Sequence, residues 1–249
     1  MLCEFVGLPA AGKSMLIAKT ISLLDARGYD VHTHATLGDK AMKEAACEYR
    51  FIRNKPERST LFGAFQFRKD HPEIFDHFCA SPTERPGLTY WSMEMLSQYF
   101  YAKSKVAEAE IVLCDEGLVD RGVACFIGRT DEKAFENYNR ILPNDFMVVN
   151  LWVPKRVSIR RSRKFRDKLP CSDWYDDRDP LDVLNEMNRL TNMAINFRKD
   201  MGLPVIDLDG RAPVLENAER LAQDLPDLMG LEQRDATEVR ARNLYAISA

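Results

Sequence analysis

Near the amino terminus stands Gly7-Leu8-Pro9-Ala10-Ala11-Gly12-Lys13-Ser14, a full match to G-x-x-x-x-G-K-[ST]. Each residue type has a chemical reason to be there. The two glycines allow backbone conformations that aim successive N–H groups inward as an anion nest. A helix opening at the motif adds its unsatisfied N–H groups and the positive end of its dipole. Lys13 can reach β- and γ-phosphates, and the Ser14 hydroxyl can ligate Mg²⁺. The expected nucleotide contacts are therefore Gly7, Leu8, Pro9, Ala10, Ala11, Gly12, Lys13 and Ser14, with Met15 from the first helical turn. The chemistry this predicts is binding of a nucleoside triphosphate together with Mg²⁺.

A second group follows the apolar run Ile111–Cys114: Asp115-Glu116-Gly117-Leu118-Val119-Asp120-Arg121-Gly122. A carboxylate at the carboxyl end of a strand beside a phosphate loop lies at the sheet edge where ligands bind. Asp115 is expected to hold Mg²⁺, directly or through water, or to accept the proton of a substrate hydroxyl; Glu116 competes for the second role. Arg121 is a candidate contact for a transferring or acceptor phosphate. Glu116 and Asp120 also have a plainer reading, as caps of a helix beginning near Gly117.

The third group is the basic run Lys155–Lys168, which holds Lys155, Arg156, Arg160, Arg161, Arg163, Lys164, Arg166 and Lys168 against Asp167 alone. As a helix it would stack Arg156, Arg160 and Arg163 on one face. Arginine donors stabilise the charge spread over a phosphoryl group in flight, most effectively in a closed, dry site. Arg156 and Arg160 are thus expected on the nucleotide, and Arg160 and Arg163 on the reacting phosphoryl group, in a lid that excludes water.

Such groups need a scaffold, and hydrophobic periodicity supplies one. Short apolar runs predict strands at Leu2–Val6, Asp30–Ala35, Ile111–Cys114, Phe146–Val153 and Pro204–Leu208. Amphipathic runs predict helices at Ser14–Asp25, 39–53, 60–69, 84–107, 132–141, 155–166, 181–200 and 214–228. Strands alternating with helices imply right-handed crossovers and a parallel sheet covered on both faces, an α/β fold. Residues 1–230 read as one domain, with a helical insertion at 36–109 and the lid at 155–180; 231–249 reads as a C-terminal helix or tail. The insertion is long for a crossover and rich in aromatics, including Phe62, Phe65, Phe67, Tyr90, Trp91 and Tyr99. Most of these rings must form a local core, and one or two can wall a pocket for a planar acceptor. Arg50, Arg53, Arg58, Arg68, Glu94 and Gln98 are its candidate acceptor contacts.

Composition removes several function classes. The 249 residues carry 35 Lys+Arg against 38 Asp+Glu, a net charge of −3, which argues against a dedicated nucleic-acid binder. No apolar run approaches the roughly 20 residues of a membrane helix. Glu4, Lys13 and Lys19 break up the first apolar stretch, which argues against a secretory signal. Six scattered cysteines without C-x-x-C spacing read as reduced thiols of a cytoplasmic protein. His32 and His34, taken as one strand face, lack the partners of a zinc set. The expected partner is a small-molecule phosphoryl acceptor, and a homodimer is left open.

Taken together, Leu2–Ser14, Ile111–Arg121, Asn150–Arg166 and Val205–Gly210 resemble the P-loop nucleoside and nucleotide kinases, in particular their thymidylate-kinase-like branch. The resemblance implies a three-layer sheet with the phosphate loop opening the chain, ATP and Mg²⁺ as cofactors, and a lid Arg six residues after a proline, matched by Pro154 and Arg160. It also shows departures. Where that branch carries Asp-Arg-Tyr this chain has Asp115-Glu116-Gly117, so the first Asp carries over and the phosphate-gripping Arg does not. Thr33–Lys40 lacks the Glu-Pro element near the acceptor. The pattern is similar to that of uncharacterised thymidylate-kinase-like proteins with Asp-Glu-Gly. The expected activity is γ-phosphoryl transfer from ATP·Mg to a nucleoside- or nucleotide-like acceptor. Kinases of sugars, sugar-nucleotides or other hydroxylated metabolites, and a non-catalytic nucleotide-binding regulator, stand as alternatives. A GTPase would need a guanine motif, and Asn54-Lys55-Pro56-Glu57 sits in the insertion rather than at a base pocket.

Overall fold

The computed structural model describes residues 1–48, 56–80, 86–129, 131–166 and 179–232. Five short strands form one parallel sheet: β1 (Leu2–Val6), β2 (Val31–Thr33), β3 (Ile111–Cys114), β4 (Phe146–Trp152) and β5 (Val205–Asp209), in spatial order β2-β3-β1-β4-β5. Every residue of β1 and β3 is buried, as central parallel strands covered on both faces require. From β1 the chain crosses to β2 at one edge, and from β3 it crosses to β4 on the other side of β1. This reversal opens a crevice at the carboxyl end of β1.

Ten α-helices are described. α1 (Lys13–Ala26) and α10 (Val214–Leu228) pack on each other. The insertion comprises α2 (His34–Glu48), α3 (Pro56–Asp70), α4 (Pro72–Ala80) and α5 (Pro86–Lys105), with α5 packed against both α2 and α3. Gly63 on α3 makes that approach possible, since a Cβ there would lie 2.3 Å from Ser97 Oγ. α6 (Leu118–Phe126), α7 (Glu132–Ile141), α8 (Lys155–Arg166) and α9 (Pro180–Asp200) complete the chain, with α9 against α6 and α7. Asp131 and Asp179 cap α7 and α9 through side-chain hydrogen bonds to Ala134 N and Leu181 N.

Several boundaries differ from the sequence reading, and two differences have a clear physical reason. The second strand ends at Thr33, not Ala35, because the Thr33 hydroxyl accepts the Thr36 N–H at 3.0 Å and turns the chain into α2. His34 is therefore helical and does not share a strand face with His32. The insertion also contains one more helix than its periodicity predicted, since α4 opens at Pro72, a residue suited to the first turn of a new helix. No described helix is long and apolar enough to cross a membrane. Arg50, Arg53, Asn54, Lys55, residues 167–178 of the expected lid and the tail beyond Glu232 lie outside the described residues.

Candidate functional site

The loop between β1 and α1 adopts the backbone its sequence predicts for an anion nest. Gly7, Ala10 and Gly12 have φ of 150°, 56° and 109°. Gly7 also passes so close to β4 that a Cβ would sit 2.4 Å from the Leu151 carbonyl oxygen. The Ala11 N–H closes the loop onto Leu8 O at 3.0 Å. At its end the Lys13 ammonium donates to Gly7 O at 3.0 Å and lies 3.7 Å from Asp120 Oδ2. Burial pulls the Lys13 pKa down, but Asp120, Asp115 and Glu116 together outweigh it and hold the ammonium above its ordinary value.

The carboxylates after β3 divide their work. Asp115 Oδ2 accepts the Ser14 hydroxyl at 2.5 Å, while its buried Oδ1 has no hydrogen-bond partner among the described residues. A hydroxyl and a carboxylate, one of whose oxygens is orphaned, form an all-oxygen set, and this chemistry fits Mg²⁺ held by one or two side chains plus substrate phosphates. No described group of three or more His, Cys, Asp or Glu residues could hold a metal ion alone. Glu116 pairs with Arg121 one helical turn on, and Arg121 in turn lies 6.0 Å from the ring of Trp91. Asp120 does not cap α6 with its side chain. It faces Lys13, and burial raises its pKa to about 6 despite that cation.

These residues line one cleft of about 640 Å³, well matched to a small-molecule site. At one end stand Trp91 of α5 with Glu116, Asp120, Arg121 and Ala124 around α6. The phosphate loop, Ser14 and Asp115 lie between. At the other end stand Gly210, Ala212, Val214 and Asn217 after β5, and Met187 of α9 also lines the cleft. Trp91 is 43% exposed, a large apolar ring left open on the cleft wall. Beside this end, His34 is buried and hydrogen-bonded to Gln98. Burial lowers its pKa against the pull of Asp115 and Glu116, so its ring is neutral at pH 7.

The basic helix α8 docks on the phosphate loop through residues other than those the periodicity singled out. Ser158 Oγ donates to Pro9 O at 2.7 Å, and Arg161 donates to Ala11 O at 2.8 Å and to Gly210 O at 2.9 Å. Arg161 thereby ties the loop to the segment after β5 and lines the cleft. Arg156, Arg160 and Arg163 lie on the exposed side of α8 and do not line it.

Of the other expected residues, Gly7 is the loop residue that supports the cleft from behind; Leu8 through Met15 all line it. Glu94 and Gln98 are half-buried on α5 and Arg68 is exposed, paired with Asp76; none of the three lines the cleft. Sequence reasoning missed Trp91 as a named wall, Arg161 and the orientation of Asp120. For Asp120 a signal existed: it stands four residues after Glu116, which places both on one side of a helix start. Trp91 and Arg161 carried none beyond residue type, because which ring or arginine turns inward is decided by packing.

No family model matches the chain, and no curated protein sequence does either. Among solved structures, the chain is similar to a deoxyadenosine kinase from M. mycoides described with the products dCMP and a flexible dCDP bound. The match has a TM-score of 0.51 at 16% identity and covers 91% of this chain and all of that one. The five-stranded parallel sheet with flanking helices thus shares the fold of that structure.

Proposed function

We propose that this chain is an ATP-dependent small-molecule kinase whose acceptor is a nucleoside or a compound of similar shape. One observation carries the reading. A single cleft holds the phosphate loop between two differently built ends, so two substrates can meet at Lys13. The end after β5 is lined by small and apolar residues with Asn217, whose amide donates to Asp209 O, and suits the base of ATP. The Trp91 end offers an open aromatic face with polar groups beside it, and suits a flat ring bearing a hydroxyl.

Lys13 and the loop N–H groups neutralise charge on the β- and γ-phosphates, with Arg161 closing the loop from behind. Mg²⁺, held at Ser14 and Asp115, would supply further positive charge at the phosphate oxygens. Glu116 receives the acceptor hydroxyl. In the transfer, a bond forms between the acceptor oxygen and the γ-phosphorus, the bond to the β–γ bridging oxygen breaks, and the proton passes to the Glu116 carboxylate. Little covalent help is needed, so positioning and charge stabilisation carry most of the rate. Arg121 supports an acceptor without a phosphate, because Glu116 already occupies its guanidinium.

The deoxyadenosine kinase likeness supports a nucleoside over a sugar, and the aromatic wall agrees. The test is ADP release from ATP·Mg with Lys13→Ala as blank, across deoxynucleosides, nucleoside monophosphates, sugars and sugar-nucleotides. Stimulation by a nucleoside establishes the reading. Stimulation by sugars alone, or nucleotide binding without stimulation by any acceptor, overturns it.

A further inference from the structure

At the middle of β1, a strand otherwise apolar, stands Glu4. Its side chain is fully buried, with 0% exposure. Burying a carboxylate is costly unless it is hydrogen-bonded. Glu4 Oε1 accepts the Asp120 N–H at 2.9 Å, and the Val119 N–H also serves the carboxyl group. These are N–H groups of the first turn of α6, which have no partner within the helix. The residue at the head of α6 is Gly117, which has no side chain with which to cap. Glu4 therefore caps α6 from a neighbouring strand, where a negative charge also meets the positive end of the helix dipole.

Gly117 has a matching reason to be glycine. A Cβ at that position would lie 2.5 Å from Glu4 Cδ and Oε2. The Asp-Glu-Gly sequence after β3 and the glutamate in β1 are thus two halves of one contact. That contact lies directly behind the site, because Asp120, whose N–H Glu4 holds, has its own carboxylate 3.7 Å from Lys13.

We propose that Glu4 is a positioning residue: its carboxylate, reaching from β1 to the first turn of α6, places Asp120 and, through it, Lys13 for phosphoryl transfer. The proposal rests on the kinase reading for its use and is independent of which acceptor is used. The charged and titratable groups around Glu4 are Asp120 on α6, Arg198 on α9, Tyr99 on α5, Tyr138 on α7, Cys114 on β3 and Cys3 on its own strand.

The test compares wild type with Glu4→Gln, Gly117→Ala and the Glu4→Ala/Gly117→Ala pair against Glu4→Ala, each checked for folding by circular dichroism. One readout is turnover and KM with the stimulating acceptor from pH 5.5 to 8.5. The other needs no acceptor: the rate at which an ATP acyl-phosphate probe acylates Lys13, read by mass spectrometry. Glu4→Gln should lower kcat and Lys13 acylation about tenfold, the size expected when a residue supporting a site is removed, with a smaller change in KM for ATP. It should also move the acidic limb of the kcat profile to lower pH, towards the range in which Asp120 titrates. Gly117→Ala should mimic the loss, and adding it to Glu4→Ala should cost nothing more, since the carboxyl it collides with is gone. Unchanged kcat, pH profile and acylation rate in Glu4→Gln overturn the proposal, as do strictly additive effects in the pair. Wild-type acylation that responds to Glu4→Gln while no acceptor is found would sink the kinase reading and leave the positioning role standing. Acceptor turnover that is indifferent to Glu4 does the reverse.

Discussion

Two parts of the cleft are made in different ways. The loop proposed to hold the phosphates is mostly backbone: loop N–H groups, left-handed φ at three nearby residues, and a glycine pressed against the Leu151 carbonyl. Its parts are contiguous in the chain. The end proposed for the acceptor is made of side chains, Trp91 from α5 and Glu116 and Arg121 around α6, which meet only after the insertion has packed. A site of the first kind binds a group common to all nucleoside triphosphates. One of the second kind can change acceptor by replacing a few side chains without disturbing the loop. Substitutions on the two sides should therefore separate cleanly.

The largest separation is expected from Lys13→Ala. It removes the one loop side chain that carries charge to the phosphates and should lower turnover about a thousandfold, the upper range for losing a single preorganised donor. Acceptor affinity should change far less, because at that end Lys13 pairs with Asp120, which is not among the groups proposed to touch the acceptor. Isothermal titration with the acceptor and initial-rate kinetics check both halves. Loss of acceptor binding as well would show that the two ends are not independent.

The second prediction concerns the strand behind both ends. Burial raises the Glu4 pKa to about 7 from an ordinary 4.5, against the backbone hydrogen bonds that lower it. Between those values the folded chain holds a proton that the unfolded chain has released. Stability thus falls as pH rises through this window, by up to about 3 kcal/mol for such a shift. Asp120, raised to about 6 by burial, acts in the same direction over a lower range. Thermal unfolding without nucleotide should show Tm declining from pH 5 to pH 7, and Glu4→Gln should flatten that decline. An equal slope in the variant would show that the Glu4 carboxyl does not titrate there.

The same contrast explains what could be read from residues alone. The backbone shape of the loop after β1 was legible because its glycines and the helix that follows are local residue types. β3, α7, α8 and α10 were legible to the residue because apolar runs, Asp131 as a cap and Pro154 and Pro213 before two of the helices mark them in the chain. The β2–α2 junction was not, since Val31-His32-Thr33-His34-Ala35 alternates like a strand while the Thr33 hydroxyl starts a helix. Glu4 stood in plain view and served only to exclude a signal segment. Its partner lies 116 residues away, and no spacing rule joins them. In the same way, periodicity grouped Arg156, Arg160 and Arg163, whereas the contact with Ala11 and Gly210 is made by Arg161.

On the phosphate side, a milder change sharpens the role of Asp115. Asp115→Asn keeps the shape and a hydrogen bond to Ser14 but removes the charge that would face Mg²⁺. The concentration of Mg²⁺ needed for half-maximal activity should rise about tenfold. A Mg²⁺ titration of ADP release at fixed ATP measures it, and acceptor KM should not follow. An unchanged titration together with a collapse of kcat would instead make Asp115 the residue that meets the acceptor hydroxyl, with Glu116 serving only to hold Arg121.

The smallest effect belongs to Trp91. Its ring has Tyr90 at one edge, 5.8 Å away and nearly perpendicular, and the Arg121 guanidinium 6.0 Å from its centroid. The residue nonetheless remains exposed on the cleft wall. Trp91→Ala removes a stacking surface of about 1 kcal/mol, so acceptor KM should rise about fivefold. KM for ATP should stay put, because the nucleotide end of the cleft contains no residue of α5. Trp91→Phe should recover most of the loss, since the ring and not the indole N–H makes the contact. Acceptors with flat rings should feel the alanine change and aliphatic ones should not. If Trp91→Ala instead raised both constants equally, the ring would be supporting α6 through Arg121 and the acceptor wall would have to be sought on another helix of the insertion.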